Sequence, residues 1–275
     1  MRYGKLRLSV LFLGICCLPC IFSQQSSANV VQGSCGKAAQ FRYDSKEKTL
    51  EIFGDGAVTE TISVKNLLGR DTQKFSVNTL KIGRGITTIQ DASILKYAEG
   101  ESRVVSLPEG FREIPNNMFS NLSVHEVRIP TSVTEIQKGA FWEQVMLEKI
   151  TVSVGNKKYS SQEDVLYNKD KSRLLYYPPE KDVRSFTVPD SVREIEDLAL
   201  HGNYYIRRVK LPVSLQKLGA GCFYECTSLE EINIAKLHQL QEIKDYHKES
   251  DIEIAIPMSL INISETTRPR LRSYA

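Results

Sequence analysis

The 275-residue sequence predicts an α/β repeat solenoid, in which short coils of chain stack and their strands form one parallel β-sheet. Three regularities indicate this fold. Strand-like segments such as "VVSLP", "VRIP" and "VKLP" recur along the chain. The prolines that end them are 22 residues apart at Pro108 and Pro130, and 23 apart at Pro189 and Pro212. An apolar residue is followed five positions later by a second one at five places: Ile89 and Ile94, Ile114 and Phe119, Ile136 and Phe141, Ile195 and Leu200, and Leu218 and Phe223.

Residues 1–23 are predicted to form a secretory signal peptide. Basic residues precede an apolar run from Leu8 to Phe22, and small and polar residues follow it. A buried first helix or a membrane anchor is the alternative, but the run is shorter than the ~20 residues that span a bilayer. Cleavage removes Arg2, Lys5 and Arg7, which leaves 33 of the 36 basic residues against 33 acidic ones. The mature chain is therefore near neutral, and its charge gives no argument for nucleic acid as a partner.

Cysteine usage agrees with an exported chain that does not depend on disulfides. After the signal only Cys35, Cys222 and Cys226 are left, too few for a disulfide framework in a chain of this size. A lipid anchor at Cys16 or Cys20 is an alternative attachment to a membrane. Lipoprotein signals place a small residue before the modified cysteine, and Ile15 and Pro19 stand there instead.

Residues 24–62 are predicted to form an N-terminal β-hairpin cap. The segment "YDSKEKTLEI" contains a polar turn between two stretches that alternate between apolar and polar residues. A hairpin at the end of a solenoid covers the apolar side of the first coil, which has no preceding coil to cover it.

Residues 63–235 are predicted to form the repeats themselves. In "VRIP", Val127 and Ile129 point to one side of a strand and Arg128 to the other. Pro130 ends the strand because it cannot donate to a further ladder. A turn, followed by a short helical or irregular piece, then brings Phe141 back inward. One copy cannot bury its own apolar side, whereas stacked copies cover each other.

Two segments do not follow the repeat. Residues 156–181 alternate as a β-hairpin around the turn "NKDKS" and are predicted to be an insert between repeats. Residues 236–275 fit no copy and are predicted to be a C-terminal cap or a flexible tail.

The repeats resemble a known family. "LPVSLQKLGAGCFYECTSLEEINIA", residues 211–235, and "IPTSVTEIQKGAFWEQVMLEKITVS", residues 129–153, are similar to BspA-like leucine-rich repeats, also called the Treponema pallidum type. "VPDSVREIEDLALHGNYYIRRVKLP" matches with Leu200 for the phenylalanine and Asn203 for the cysteine, the position where the second copy has Gln144. The resemblance covers roughly residues 35–235. It implies a right-handed superhelix with a concave parallel sheet, in exported proteins of the cell surface with binding or adhesion roles.

No catalytic or metal-binding motif accompanies the repeats. The four histidines lack metal spacing such as H-E-x-x-H, and the sequence has neither G-x-S-x-G nor a phosphate loop. Cys222 and Cys226 form a C-x3-C, half of a zinc site, but the repeat register places both inward as small apolar fillers. We therefore expect no enzyme activity and no cofactor.

The predicted ligand-binding surface is the concave face of the sheet, because that face is the usual binding surface of a solenoid. Its ligand would be a protein or a glycan at a cell surface or matrix. One alternative is a polar face that only maintains solubility in a structural envelope or spacer protein, and a surface hydrolase is a further alternative. The predicted binding residues are the outward residue of each strand together with one neighbour: Lys81, Ser106, Arg128, Thr151, Thr187, Lys210, Asn233 and Arg208.

Overall fold

The structure is a computed structural model that describes residues 29–62, 74–90, 95, 97–119, 122–233 and 239–243. The predicted signal peptide lies outside the described residues. So does the predicted C-terminal segment, apart from residues 239–243.

Three antiparallel strands begin the described chain: β1 (Val30–Ser34), β2 (Ala38–Asp44) and β3 (Thr49–Val58). The third strand pairs in parallel with two different strands of the solenoid. Its first half, from Thr49 to Ile52, pairs with one strand of the solenoid, and its last residues pair with another. Gly54, with φ +94°, lies between the halves, and an added Cβ there would be 2.2 Å from the Ala38 carbonyl oxygen. Glycine therefore permits the bend that lets one strand serve two sheets.

The first group of coils contains two kinds of strand. β4 (Phe75–Ser76), β5 (Thr79–Ile82), β7 (Ala98–Ser106), β9 (Leu122–Ile129) and β11 (Lys149–Val152) lie on the main-sheet side, where β7, β9 and β11 pair in parallel. β4 pairs with β7, and β5 with β3. The short strands β6 (Ile86–Ile89), β8 (Glu113–Ile114) and β10 (Glu135–Ile136) form a second parallel ladder that continues from β3. Each coil thus contributes one strand to each ladder.

In the described ranges the segments after the short strands are turns and no α-helix is assigned, so of the two predicted forms, helical or irregular, the irregular one is found there. Four of these segments contain a residue in the left-handed region: Asn117 at φ +51°, Gly139 at +83°, Leu198 at +56° and Gly221 at +59°. A right-handed helix cannot continue through such a residue. The segments are also too short to offset the entropy of helix nucleation.

The predicted insert is a hairpin that ends the first group of coils. Its strands are β12 (Tyr159–Gln162), β13 (Val165–Asn168) and β14 (Arg173–Tyr176). The Ile150 N–H donates to the Asp164 carbonyl over 3.0 Å, and the Ile136 N–H donates to the Tyr159 hydroxyl over 2.9 Å. The hairpin therefore satisfies edge donors of both β11 and β10, where the next coil would otherwise begin.

The second group of coils begins from the same hairpin. β14 pairs in parallel with β16 (Glu194–Ile195), which continues through β18 (Lys217–Leu218) to β20 (Glu242–Ile243). On the main-sheet side, β15 (Ser185–Thr187), β17 (Arg208–Lys210) and β19 (Glu231–Ile232) form a separate three-stranded parallel sheet. The described chain is thus a β-solenoid with parallel sheets, and its last short strand lies beyond residue 235.

The core confirms the predicted inward positions. Phe119, Phe141, Leu200 and Phe223 are at most 3% exposed. The buried apolar residues form two clusters that meet at the hairpin, where Leu166 packs into the first cluster and Val165 and Tyr167 into the second. The hairpin therefore lies between the two cores, and alternate side chains of its strand pack into each of them.

One buried position of the repeat donates to the backbone of the preceding coil. Gln144 Nε2 donates to the Phe119 carbonyl over 2.8 Å, and Asn203 Nδ2 donates to the Pro179 carbonyl over 2.8 Å. In the last of these copies Cys226 Sγ donates to the Leu200 carbonyl over 3.0 Å. The three residue types share a donor, which explains why glutamine and asparagine replace the cysteine of the motif.

Candidate binding surface

The predicted binding residues lie on the outward side of the main-sheet strands, a surface called the sheet face below. Strand alternation buries Val127 and Ile129 and leaves Arg128 between them exposed. Six of the eight predicted residues are exposed, while Thr151 and Asn233 are partly buried. The side-chain directions predicted from the alternation are therefore found in the structure.

The sheet face is divided, whereas the prediction was one continuous sheet. Arg128 lies in register between Ser106 and Thr151, and Thr187 lies in register with Lys210 in the other sheet. The hairpin insert comes between Thr151 and Thr187 in the chain, and the two strands belong to different sheets. Lys81 lies on β5, which pairs with β3 in a further sheet. The sheet face consequently consists of two patches, one around Arg128 and one around Lys210, with Lys81 on a separate strand pair.

The basic side chains of the sheet face differ in their surroundings. Arg128 Nε lies 2.6 Å from Glu126 Oε1 on the same strand, so its charge is partly compensated. Arg208 lies in register with Glu231 of β19. Lys210 has Thr187 as its neighbour in register on β15, so no opposite charge lies beside it on that strand.

Asn233 has a structural role that the sequence pattern did not indicate. Its Oδ1 accepts a hydrogen bond from the Leu211 N–H over 2.6 Å, and its Nδ2 donates to the Leu211 carbonyl over 2.9 Å. The side chain thus forms hydrogen bonds with both the N–H and the carbonyl group of Leu211, the residue that follows β17. Its amide is committed to the fold, which leaves little of it for a ligand.

His125 forms a bridge between two glutamates in the first group of coils. His125 Nδ1 lies 2.8 Å from Glu148 Oε1, and its Nε2 lies 2.9 Å from Glu101 Oε1. The three residues come from β7, β9 and the position just before β11, so the bridge ties three coils together. No sequence motif predicted this bridge, because the two glutamates are 23 and 24 positions away from the histidine.

The three cysteines among the described residues are free and buried. Burial, assisted by the charge of Glu60, raises the pKa of Cys35 to about 11. Burial likewise raises the pKa of Cys226 to about 12 and that of Cys222 further. These thiols therefore stay protonated at neutral pH, and a protonated thiol is a poor nucleophile. Across the described ranges no group of three His, Cys, Asp or Glu side chains is placed to hold a metal ion.

A cleft at the boundary between the two short-strand ladders is the main feature that the sequence did not reveal. It measures about 320 Å³ and lies between the turn after β10, the hairpin and the turn after β16. We call it the junction cleft; Lys138, Trp142, Tyr159, Arg173, Glu196 and Asp197 line it. The one available signal was the single tryptophan of the chain, Trp142, in the last repeat before the insert.

Comparison with protein families assigns the fold. The profile described as BspA type leucine rich repeat region matches residues 72–172 and 175–267 in six copies. The chain belongs to this family. The matched segments include the hairpin strands β12 and β13 and extend past β20. In the part of the chain that the structure describes, no helix has the length and apolar character needed to cross a membrane.

Solved structures give weaker similarities. A leucine-rich repeat protein from Eubacterium ventriosum is 19% identical, with a TM-score of 0.47 and 78% of each chain covered. The pneumococcal vaccine antigen PcpA is 18% identical, with a TM-score of 0.47, over 78% of this chain and 71% of that one. A leucine rich cell surface protein from Faecalibacterium prausnitzii A2-165 is 19% identical, with a TM-score of 0.44, over 77% and 81%. No curated protein matches the chain. The family assignment therefore rests on the repeats.

Proposed function

We propose that the protein is an exported, secreted or cell-surface binding module that holds a protein or glycan ligand on the sheet face without catalysis. The observation that carries the proposal is the placement of Arg128, Arg208 and Lys210 on the outward side of parallel strands in a leucine-rich repeat solenoid. Arg208 and Lys210 lie two residues apart on β17, about 6.6 Å along the strand, and Arg128 lies on β9, so rigid strands hold all three at fixed positions. Extended surfaces of this kind are what solenoids present to partners.

A protein ligand fits the sheet face better than a glycan does. The outward residues of the main-sheet strands are mostly charged or hydroxyl-bearing, with Val104 as an exposed apolar one, and none of those in the described strands is aromatic. Without aromatic rings the face lacks a platform on which a sugar ring could stack. Exposed arginine and lysine can instead pair with carboxylates, and electrostatic complementarity of this kind governs association rates and specificity.

Replacing Arg128, Arg208 and Lys210 together with alanine tests the proposal. Saturable binding of the purified mature protein to host cells or matrix proteins should be lost, while the melting temperature stays within a few degrees. A matched control replaces Arg84, Lys157 and Lys158, which are exposed basic residues away from these strands, with alanine. That control makes the same change in net charge and should bind normally. Unchanged binding by the folded sheet-face variant would refute the proposal.

A structural spacer protein is the second candidate, and two contacts favour it. Arg128 is paired with Glu126 of its own strand, and Asn233 is committed to the backbone of Leu211. A spacer would show no saturable binding to any protein or glycan in a broad screen. If a partner binds the control variant but not the triple variant, the spacer function is excluded.

Export is part of the proposal, because residues 1–23 have the order of a secretory signal. Protein recovered from outside the producing cell should begin after Ser23 or Gln24. N-terminal sequencing of that material checks this, and recovery of a chain that still begins at Met1 would contradict it.

A further inference from the structure

The junction cleft exists because the hairpin interrupts the short-strand ladder. β10 ends one ladder and β14 begins the next, and the turns that follow β10 and β16 flank the hairpin between them. The cleft volume of about 320 Å³ lies at the lower end of the range for small-ligand pockets. The cleft has its walls in the turns and the hairpin, so it is separate from the sheet face.

The inner part of the junction cleft is apolar and partly aromatic. Phe141, Leu166 and Tyr176 are buried at its base, and Trp142 and Tyr159 are partly exposed. The indole packs directly on backbone, since an added Cβ at Gly139 would lie 3.0 Å from Cδ2 and Cε3 of Trp142. A ring held in this way offers a preorganised flat surface to a ligand.

The rim of the junction cleft is polar and electrically balanced. Lys138 Nζ lies 2.5 Å from Asp197 Oδ2, across the gap between the two groups of coils, and Arg173 pairs with Glu196. The lining therefore contributes two cations and two carboxylates. No excess positive charge is present for a phosphate or a carboxylate, and no excess negative charge for a cation.

A hydrogen-bond donor also faces this region. The Tyr159 hydroxyl accepts from the Ile136 N–H, which leaves its own proton without an acceptor among the described contacts. The amides of Gln137 and Asn168, by contrast, are already bonded to neighbouring groups. The groups that a ligand can reach are thus the indole, a phenol, a guanidinium, an ammonium and two carboxylates.

We propose that the junction cleft binds a neutral saccharide. A sugar ring has an apolar C–H face, which can lie on the Trp142 indole, and hydroxyl groups at its edge. Those hydroxyls donate to Glu196 and Asp197 and accept from Arg173 and Lys138, which makes charge-assisted hydrogen bonds to a neutral partner. The site is additional to the protein-binding role proposed for the sheet face and does not depend on it.

The single tryptophan makes the proposal directly testable. Trp142 is the only source of tryptophan fluorescence in the chain, so an emission change reports on the cleft. The mature protein is titrated with glucose, galactose, mannose, N-acetylglucosamine, N-acetylgalactosamine, lactose and maltose, and with sialyllactose as an anionic comparator. At least one neutral sugar should give a saturable change. A flat response to every neutral sugar, or a preference for sialyllactose, would overturn the proposal.

Rim variants locate the binding. Lys138→Ala and Glu196→Gln should each weaken binding at least about tenfold, because each removes a charged partner of a hydroxyl. Exposed ion pairs contribute little to stability, so both variants should fold. Arg84→Ala, at an exposed basic residue that belongs neither to the sheet face nor to the junction cleft, is the control and should bind the sugar normally. Calorimetry of Trp142→Phe should show the same loss without any fluorescent reporter, and full affinity in all three cleft variants would contradict the site.

Discussion

Phe141→Ala is the sharpest test of the stacked core. Phe141 is 3% exposed, and its ring centroid lies 6.5 Å from that of Phe119 and 5.5 Å from that of Tyr176. It therefore joins the last coil before the hairpin to the hairpin itself. Truncating a buried phenylalanine costs about 3–5 kcal/mol, which includes the transfer of the ring and the cavity left behind. The two aromatic contacts place this site in the upper part of that range.

The measurement is the free energy of unfolding from urea denaturation followed by circular dichroism. A loss of about 3–5 kcal/mol is a large part of the ~5–15 kcal/mol that stabilises a typical domain. Val145→Ala, at a residue 58% exposed in the same turn, is the control and should change the free energy by less than about 0.5 kcal/mol. A loss below about 1 kcal/mol in Phe141→Ala would refute the stacking of buried side chains from successive coils, on which the solenoid depends.

Three further predictions concern buried polar groups. Asn203→Ala should destabilise the protein by about 2 kcal/mol or more, seen as a lower urea midpoint, because the buried amide serves Pro179 and the Ile206 N–H. Tyr159→Phe should cost about 1–3 kcal/mol in the same assay, since the Ile136 N–H loses its acceptor. Stability should fall between pH 9 and about 11, because the Cys35 thiol ionises near 9.0 when unfolded and near 11 when folded; below pH 9 it is protonated in both states. Cys222 and Cys226 contribute to the same fall, because burial raises their pKa values as well, so Cys35→Ala should make the fall less steep without removing it. Rapid alkylation of all three thiols in the folded protein would contradict their burial.

The sequence was sufficient for features that depend on local pattern. Alternation in "VRIP" placed Val127 and Ile129 inward and Arg128 outward, and the five-residue offset placed Phe141 and Phe223 in the core. These assignments hold because a strand has a two-residue period, and because a coil that cannot bury its own apolar side must stack on the next one.

The sequence left two forms open where a pattern fits more than one local structure. An apolar pair at an offset of five is compatible with a helical piece or with an irregular turn, and the described ranges have turns. Leu198 has a left-handed backbone, which leucine rarely adopts, and the repeat pattern does not predict it. That conformation follows from the hydrogen bond between the Leu198 N–H and the Ala220 carbonyl of the next coil.

Only the tertiary structure decided how the hairpin organises the molecule. Residues 156–181 were predicted as an insert, but their hydrogen bonds to β11 and β10 place a hairpin between the two patches of the sheet face and create the junction cleft. Lys138 and Asp197 meet across that cleft although 59 positions separate them in the chain. The sequence by itself determined which residues turn inward, since that depends on neighbours a few positions away. Which outward residues come together depends on contacts between distant coils, and no period in the sequence records them.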